Sequence, residues 1–204
     1  MTARDEILGR VRQALAGADT SAVPVPRGYR SRRDADEPRA EVVARFAERV
    51  EDYRATVTRC TADEVAPTLA AALPEATRVL VPDGFAWPLP DTVTAVADDG
   101  LTAPELDRVQ AVVTTATVGI AETGTIVLTH GPGEGRRAVS LVPDLHVCVV
   151  RADQVVAGVP DAVALLDPLR PQTWISGPSA TSDIELNRVE GVHGPRTLHV
   201  VLVG

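Results

Sequence analysis

Apolar residues along this chain follow helical spacing near the beginning and form strand-like runs further on. Over residues 3–16 they recur every three or four positions, and the same spacing over residues 39–58 predicts a second helix. Residues 17–38 between them collect glycine, proline and arginine, which is typical of a linker or an extended arm. Residues 1–60 are therefore expected to form a helical extension, packed on the rest of the chain or on a neighbouring molecule.

From Thr61 onward the pattern changes to an alternation of helices and strands. Thr61 and Glu64 have the spacing of a capping box in front of an apolar helix. Further helices are predicted near 103–108 and 153–166. Strand-like runs occupy residues 79–81, 93–97, 110–114, 125–129, 145–150, 173–176 and 197–203. Because several runs are continuously apolar, as in strands covered on both faces, the pattern predicts a mainly parallel sheet in one α/β domain over residues 61–204.

The composition is that of an ordinary globular protein, with 45% hydrophobic and 24% charged residues. Aromatic residues make up 3%, so the core has to be built from aliphatic side chains. No apolar run reaches the length that crosses a membrane, and the first residues lack the apolar stretch of a signal peptide. We therefore expect no membrane insertion and a cytoplasmic location.

All 20 basic residues of the chain are arginine. A chain without lysine has no Schiff-base lysine and no phosphate-binding lysine of the P-loop kind. The formal net charge is −8, and it is concentrated after residue 60, where 8 arginines face 18 acidic residues. Since nucleic-acid binding depends on basic side chains that neutralise phosphates, nucleic acid is not an expected partner.

The two cysteines, Cys60 and Cys148, are isolated in the sequence. An iron–sulfur cluster typically needs four thiolates, so this chain cannot hold one alone. The four histidines do not have the spacing of a zinc site. We expect no cofactor and no metal on this chain, and Cys148, which lies in an apolar run, is expected to be a buried thiol.

The most informative stretch is residues 119–137, where an acidic residue enters a tight glycine turn before a β-branched run. Glu122 is a candidate catalytic carboxylate at a sheet edge, acting as nucleophile, acid or base, with Thr123 and Gly124 as ligand-binding neighbours. Alternatively, Glu122 caps the turn and Gly124 supplies a positive φ. The residue types alone favour the second interpretation.

A second glycine-rich loop follows at residues 131–137 and ends in Arg136 and Arg137. Glycine leaves backbone amides accessible, and an arginine guanidinium can donate two parallel hydrogen bonds to one anion. This loop is therefore a candidate anion site. The alternative, a flexible surface loop with solvated arginines, agrees equally well with the sequence. Glu134 in the same loop would partly neutralise an anion site.

Two loops near the C-terminus are rich in hydroxyl groups and glycine. Residues 176–185 follow a strand and are predicted to open a helix, whose first turn either binds an anion or is capped by a hydroxyl. His193 is a candidate ligand-binding residue or a structural hydrogen-bonder. We expect these loops to converge with the Glu122 and arginine loops at one sheet edge and to hold a small carboxylate or a phosphate-bearing ligand. The candidate ligand-binding residues here are Ser179, Thr181, Ser182, Asp183 and His193.

Segments 119–130, 176–185 and 191–195, in this order and spacing, resemble the LUD-domain family, specifically its lactate-utilisation protein C branch. The likeness extends over nearly the whole chain. It implies a fold like that of the NagB/RpiA/CoA-transferase superfamily, a parallel-rich sheet with helices on both faces. It also implies a role in oxidising L-lactate to pyruvate, as an accessory subunit beside iron–sulfur partner proteins that carry the redox clusters.

Two other functions stay open beside the accessory role. Glu122-Thr123-Gly124 resembles the Glu-Asn-Gly turn that carries the nucleophilic glutamate of CoA transferases, which implies a CoA-transferase-like enzyme. The sugar-phosphate isomerases of the superfamily rely on an active-site lysine, and this lysine-free chain departs from them. A regulatory protein that binds a small anion or a sugar phosphate is the other alternative, so the pattern does not decide whether the chain is an enzyme.

Overall fold

The computed structural model describes residues 2–19, 21–26, 28, 37–73, 78–181, 189–190 and 194–204. At residues 180–181 and 189–190 it gives the backbone alone. The chain divides into two compact units, residues 1–30 and residues 31–204. Among the described residues, no helix combines the length and the apolar character needed to cross a membrane.

The first unit contains helix α1, Ala3–Leu15, which confirms the helix predicted at 3–16. The Thr2 hydroxyl accepts a hydrogen bond from the Asp5 amide, and the Asp5 carboxylate accepts one from the Thr2 amide, so a capping box closes the first turn. In the described part of this unit the helix buries no side chain. Its exposed apolar residues are Ile7, Val11 and Leu15.

The second unit begins with helix α2, Arg39–Asp52, and strand β1, Thr56–Cys60. The helix predicted at 39–58 is therefore wrong over its last six residues. Arg54 takes a positive φ of 68° that ends the helical course, and the β-branched residues after it favour a strand. The boundary expected after residue 60 does not divide the structure, because β1 is a strand of the main sheet.

The remaining helices and strands follow the predicted alternation. Each of the seven predicted strands is present, with both ends within one residue of the prediction, and the helix predicted at 103–108 is α4. The helix predicted at 153–166 is wrong before Val159, because a 3₁₀ turn and a short strand precede it. The bounds are α3 Val65–Ala72, β2 Arg78–Val81, β3 Thr94–Ala97, α4 Ala103–Leu106, β4 Ala111–Thr115, β5 Val118–Ile120, β6 Thr125–Leu128, β7 Leu145–Arg151, β8 Val155–Val156, α5 Val159–Leu165, β9 Thr173–Ile175, β10 Ala180–Thr181, β11 Val189–Glu190 and β12 Thr197–Val203, with 3₁₀ turns at Ala62–Glu64, Arg137–Ser140 and Ala152–Gln154.

The main sheet has six strands in the order β1-β12-β7-β4-β2-β3, and every pair in it is parallel. Successive residues of β7 point to opposite faces of this sheet. Cys148 and Val150 join an apolar cluster with α2, whereas Val147 and Val149 join another with α3. The predicted α/β fold, a parallel-rich sheet with helices on both faces, is confirmed.

A second sheet of four short strands, in the order β8-β5-β6-β9, packs beside α2 in the first of these clusters. β5 and β6 form an antiparallel hairpin, and β9 pairs antiparallel with β6. β10 and β11 form a separate two-stranded ribbon, in which Ala180 pairs with Glu190 and Thr181 with Val189. The helix expected to begin within residues 176–185 is therefore absent at residues 180–181, which are held by strand pairing instead.

Candidate functional site

Glu122 is exposed on the turn that joins β5 to β6. Its amide donates a hydrogen bond of 3.1 Å to the Ala157 carbonyl, which ties the turn to the loop before α5. With Thr123 it lines a cleft of about 440 Å³, the Glu122 cleft. The other lining residues come from α2 and the residue that follows it, and are Arg45, Arg49, Asp52 and Tyr53. The carboxylate therefore shares its cleft with two arginines.

Gly124 allows the end of α2 to pack directly on this turn. Its φ of +59° favours glycine, and a Cβ placed there would lie 2.6 Å from the carbonyl carbon of Arg49. Beside it, the Thr125 hydroxyl lies 2.7 Å from that of Thr123 and 2.8 Å from that of Ser176, so a chain of hydroxyl groups joins the turn to the loop after β9. The positive φ proposed for Gly124 from the sequence is present.

The glycine-rich loop at residues 131–135 lies over the carboxyl ends of β2 and β4. The Gly133 amide donates to the Asp83 carbonyl at 2.7 Å, and the Gly133 carbonyl accepts from the Thr115 amide at 2.8 Å. The Gly131 amide donates to Glu134 of the same loop at 3.2 Å. These amides are engaged within the fold, so the loop does not present them together to an anion.

Arg136 and Arg137 point to different places. Arg136 donates to the Asp98 carboxylate at 2.7 and 2.9 Å and also to the Leu101 carbonyl. This ion pair lowers the pKa of Asp98. Arg137 is exposed and forms no ion pair with another residue that the structure describes. Arg136 therefore fixes the loop after β3, and Arg137 keeps its guanidinium available.

Arg137 lines a cleft of about 290 Å³, the Arg137 cleft. Its walls carry hydroxyl groups from four residues: Ser140, Thr173, Ser176 and Ser179. The Ser179 amide donates to the Pro195 carbonyl at 2.8 Å, which closes the cleft between the loop after β9 and the loop before β12. The remaining lining residues are Leu141, His146, Trp174, Ile175, Gly177, Pro178, Gly194, Pro195 and Leu198.

His146 contributes a ring to the Arg137 cleft from the second position of β7. Only 1% of its surface is exposed, and its Nε2 lies 2.8 Å from the Thr114 hydroxyl. Burial lowers the pKa of His146 to about 4, so the ring is neutral at physiological pH. From the sequence alone, His146 could not be distinguished from His130. Its place beside the arginine loop depends on strand pairing.

The predicted site residues do not all meet at one sheet edge. Arg137 and Ser179 share the Arg137 cleft, whereas Glu122 and Thr123 line the Glu122 cleft, so among the described residues the Glu122 loop does not join the expected shared pocket. The physical reason is the end of α2, which packs against Gly124 and, through Tyr53, against Gly177 between the two clefts. Only the backbone of Thr181 is described, and Ser182, Asp183 and His193 lie outside the described residues.

A third cleft, of about 470 Å³, lies at the carboxyl edge of the main sheet and is called the carboxyl-edge cleft. From β2 the chain runs to β3 on one side and then to β4 on the other, so the strand order reverses between β2 and β4. In open α/β sheets this reversal leaves a crevice that binds ligands. The cleft is lined by Gly84 and Trp87 after β2, by Thr115 and Thr117 at the end of β4, and by Arg151 of β7.

The model of the LUD domain family matches residues 39–203. The chain belongs to the LUD domain family. The LUD domain thus begins with the first residue of α2 and ends in the last strand, so it includes α2 and β1 as well as the three clefts. This agrees with the packing of α2 on the sheet.

This LUD domain protein is similar to two proteins named Lactate utilization protein C and to one solved structure. Lactate utilization protein C of Deinococcus radiodurans is 46% identical over 211 residues, which cover 99% of this chain and 96% of that protein. Lactate utilization protein C of a Geobacillus species is 34% identical over 99 residues, 45% of this chain and 41% of that protein. The crystal structure of a DUF162 family protein from Deinococcus radiodurans has a TM-score of 0.70 and 42% identity, covering 82% of this chain and 99% of that chain.

Proposed function

We propose that this LUD domain protein is a component of a lactate-utilisation system. The near full-length relative named Lactate utilization protein C, at 46% identity, supports this assignment. We further propose that the protein supports the oxidation of L-lactate to pyruvate together with iron–sulfur partner proteins. Its two cysteines are too few for a cluster of its own, which favours partners that carry the redox centres.

The observation that carries the proposal is the exposed guanidinium of Arg137 above a cleft lined by hydroxyl groups. A guanidinium binds a carboxylate through two parallel hydrogen bonds, and such charge-assisted pairs are stronger than neutral ones. Ser140, Ser176 and Ser179 surround the same space. This arrangement suits a short monocarboxylate better than an extended ligand, since the cleft measures about 290 Å³.

The position of His146 favours a ligand that carries a second polar group beside its carboxylate. A neutral imidazole offers both a donor and an acceptor. The Nε2 atom of His146 is hydrogen-bonded to the Thr114 hydroxyl, and its Nδ1 atom makes no hydrogen bond with another described residue. A 2-hydroxy or 2-oxo group beside the carboxylate would supply that bond, which is the chemistry shared by lactate and pyruvate.

Isothermal titration calorimetry with L-lactate, pyruvate and acetate tests this site. Arg137→Gln should weaken lactate and pyruvate binding by about 10- to 100-fold, the range expected for losing a charge-assisted hydrogen-bonded pair. Arg136→Gln is the matched control, because Arg136 belongs to the same loop but pairs with Asp98. Binding by Arg137→Gln as tight as that of the unchanged protein would remove the Arg137 cleft from the proposal.

Growth of a deletion strain on L-lactate tests whether the protein is required for lactate utilisation in the cell. Deleting the gene should prevent growth on L-lactate as sole carbon source in a strain that has no other lactate dehydrogenase. The unchanged gene and Arg136→Gln should restore growth, whereas Arg137→Gln should not. Unimpaired growth of the deletion strain would exclude a required role in lactate utilisation.

A second candidate function is acyl-CoA transfer through Glu122, which shares its cleft with Arg45, paired with Glu37, and with Arg49, paired with Asp52. In this mechanism the carboxylate attacks a CoA thioester and displaces CoA thiolate, which then attacks the glutamyl carbonyl and releases the free acid, leaving a glutamyl-CoA thioester. Intact-mass measurement after incubation with acetyl-CoA would detect that adduct. Glu122→Gln should abolish it, whereas Glu51→Gln, an exposed change on α2, should keep it. An unmodified protein would contradict transfer from this donor.

A further inference from the structure

The carboxyl-edge cleft is separate from the Arg137 and Glu122 clefts, and Glu134 is one of the residues that line it. This side chain is buried, with 4% of its surface exposed. Its Oε1 accepts from the Thr117 hydroxyl at 2.6 Å, and its Oε2 accepts from the amides of Thr129 and Gly131 at 2.7 and 3.2 Å. The carboxylate is therefore satisfied by its own surroundings, and it fixes the ends of β4 and β6 at the cleft.

The other charged residues that line the cleft are both arginines. Arg170 is exposed and forms no ion pair with another residue that the structure describes. Arg151 pairs with Asp153 at 2.9 Å, but both side chains keep more than half of their surface in solvent. Exposed pairs of this kind contribute little and exchange readily, so both guanidinium groups can meet an anionic ligand.

Trp87 supplies an aromatic surface to the same cleft. It is half-buried, and part of its ring packs against the apolar cluster beneath α3. The rest lines the cleft, next to the small residues Gly84 and Ala86. A tryptophan that is fixed on one side and open on the other is a stacking surface for a planar ring.

We propose that the carboxyl-edge cleft binds a nucleoside phosphate, with the base against Trp87 and the phosphate on Arg151 and Arg170. The volume of about 470 Å³ lies within the range of small-molecule sites. The position at the reversal of strand order is where open α/β sheets bind such ligands. To bind a three-carbon acid, the cleft would need neither the aromatic surface of Trp87 nor two arginines.

Calorimetric titration with adenosine monophosphate, adenosine and inorganic phosphate tests the combination. Adenosine monophosphate should bind more tightly than either fragment. Arg170→Gln should weaken it by about tenfold or more and leave adenosine unaffected, as expected when one charge-assisted contact is lost. Arg78→Gln is the control, because Arg78 is exposed at the amino end of β2, at the opposite edge of the sheet.

Fluorescence gives a second measurement, since the chain has two tryptophans. In the variant Trp174→Phe only Trp87 emits, and adenosine monophosphate should quench it. Inorganic phosphate that binds as tightly as the nucleotide would overturn the role of Trp87. Absence of binding by four nucleoside monophosphates at millimolar concentration, or unchanged binding by Arg170→Gln, would overturn the site. Arg137→Gln should bind adenosine monophosphate as tightly as the unchanged protein does, because Arg137 does not line this cleft. The nucleotide proposal and the lactate proposal can therefore fail independently of each other.

Discussion

Replacing Gly124 by alanine should destabilise the LUD domain strongly, although the change adds a single methyl group. The backbone at this position has a φ of +59°, which a residue with a side chain adopts at a cost of about 1–2 kcal/mol. The added Cβ would also lie 2.6 Å from both the carbonyl carbon and the carbonyl oxygen of Arg49, and 2.8 Å from the amide nitrogen of Val50. These are backbone atoms in the middle of a hydrogen-bonded turn of α2, so they cannot rotate away.

The expected loss follows from adding the two effects. Forcing an extra carbon into a packed site costs about 1–3 kcal/mol, and alanine restricts the unfolded chain by less than about 1 kcal/mol in the opposite direction. The free energy of unfolding should fall by about 1–5 kcal/mol, out of the roughly 5–15 kcal/mol typical of a domain. At about 2–4 °C per kcal/mol for a chain of this size, the melting temperature should fall by roughly 2–20 °C.

Urea denaturation followed by circular dichroism measures this loss, with Gly131→Ala as the matched control. A Cβ at Gly131 would meet only the Thr129 hydroxyl, at 3.9 Å, and its φ is not in the left-handed region. The control should change the free energy of unfolding by less than about 1 kcal/mol. Equal effects of the two variants would refute the reasoning that Gly124 is needed for the contact with α2.

Two further predictions concern buried titratable groups. Burial lowers the pKa of His146 from 6.5 to about 4, so between these values the unfolded chain binds a proton that the native protein does not. The free energy of unfolding should therefore be highest, as far as His146 is concerned, above pH 6.5, and it should fall by about 2 kcal/mol on going to pH 5. In urea titrations at a series of pH values, His146→Asn should reduce this dependence of the unfolding free energy on pH. The same dependence in the variant and the unchanged protein would contradict the prediction. Burial also raises the pKa of Cys148 to about 12, so a thiol reagent at pH 8 should modify Cys60 alone in the native protein and both cysteines in denaturant.

Five of the six strands of the main sheet were predictable because each is a short apolar run, whereas β1, with its mixed sequence, was predicted as the end of a helix. β7 and β12 are the clearest, since five of the seven residues in each are apolar. β5 and β8 were not predictable, because they have three and two residues and exist through pairing with each other. Trp174 is 42% exposed although it is a large aromatic residue, because β9 is the edge strand of its sheet.

Arg136 and Arg137 show why the site could be predicted only in part. The sequence identifies both as loop arginines, but a 3₁₀ turn begins at Arg137 and rotates successive side chains by about 120°. Arg136 consequently reaches Asp98, and Arg137 reaches the cleft between the loops of β9 and β12. No local pattern specifies which of two adjacent arginines points to which partner, since both partners are distant in the sequence.

Strand β7 sets the distance between the two proposed ligands. His146, near its amino end, lines the Arg137 cleft, and Arg151, its last residue, lines the carboxyl-edge cleft. Five residues of strand separate them by about 16 Å, whereas transfer of a hydride requires reacting atoms at about 3–3.5 Å. With the two ligands placed as proposed, direct hydride transfer between them is not expected. If lactate is oxidised at the Arg137 cleft, as proposed, an electron acceptor would have to approach the rim of that cleft, where Arg137 and Trp174 are exposed.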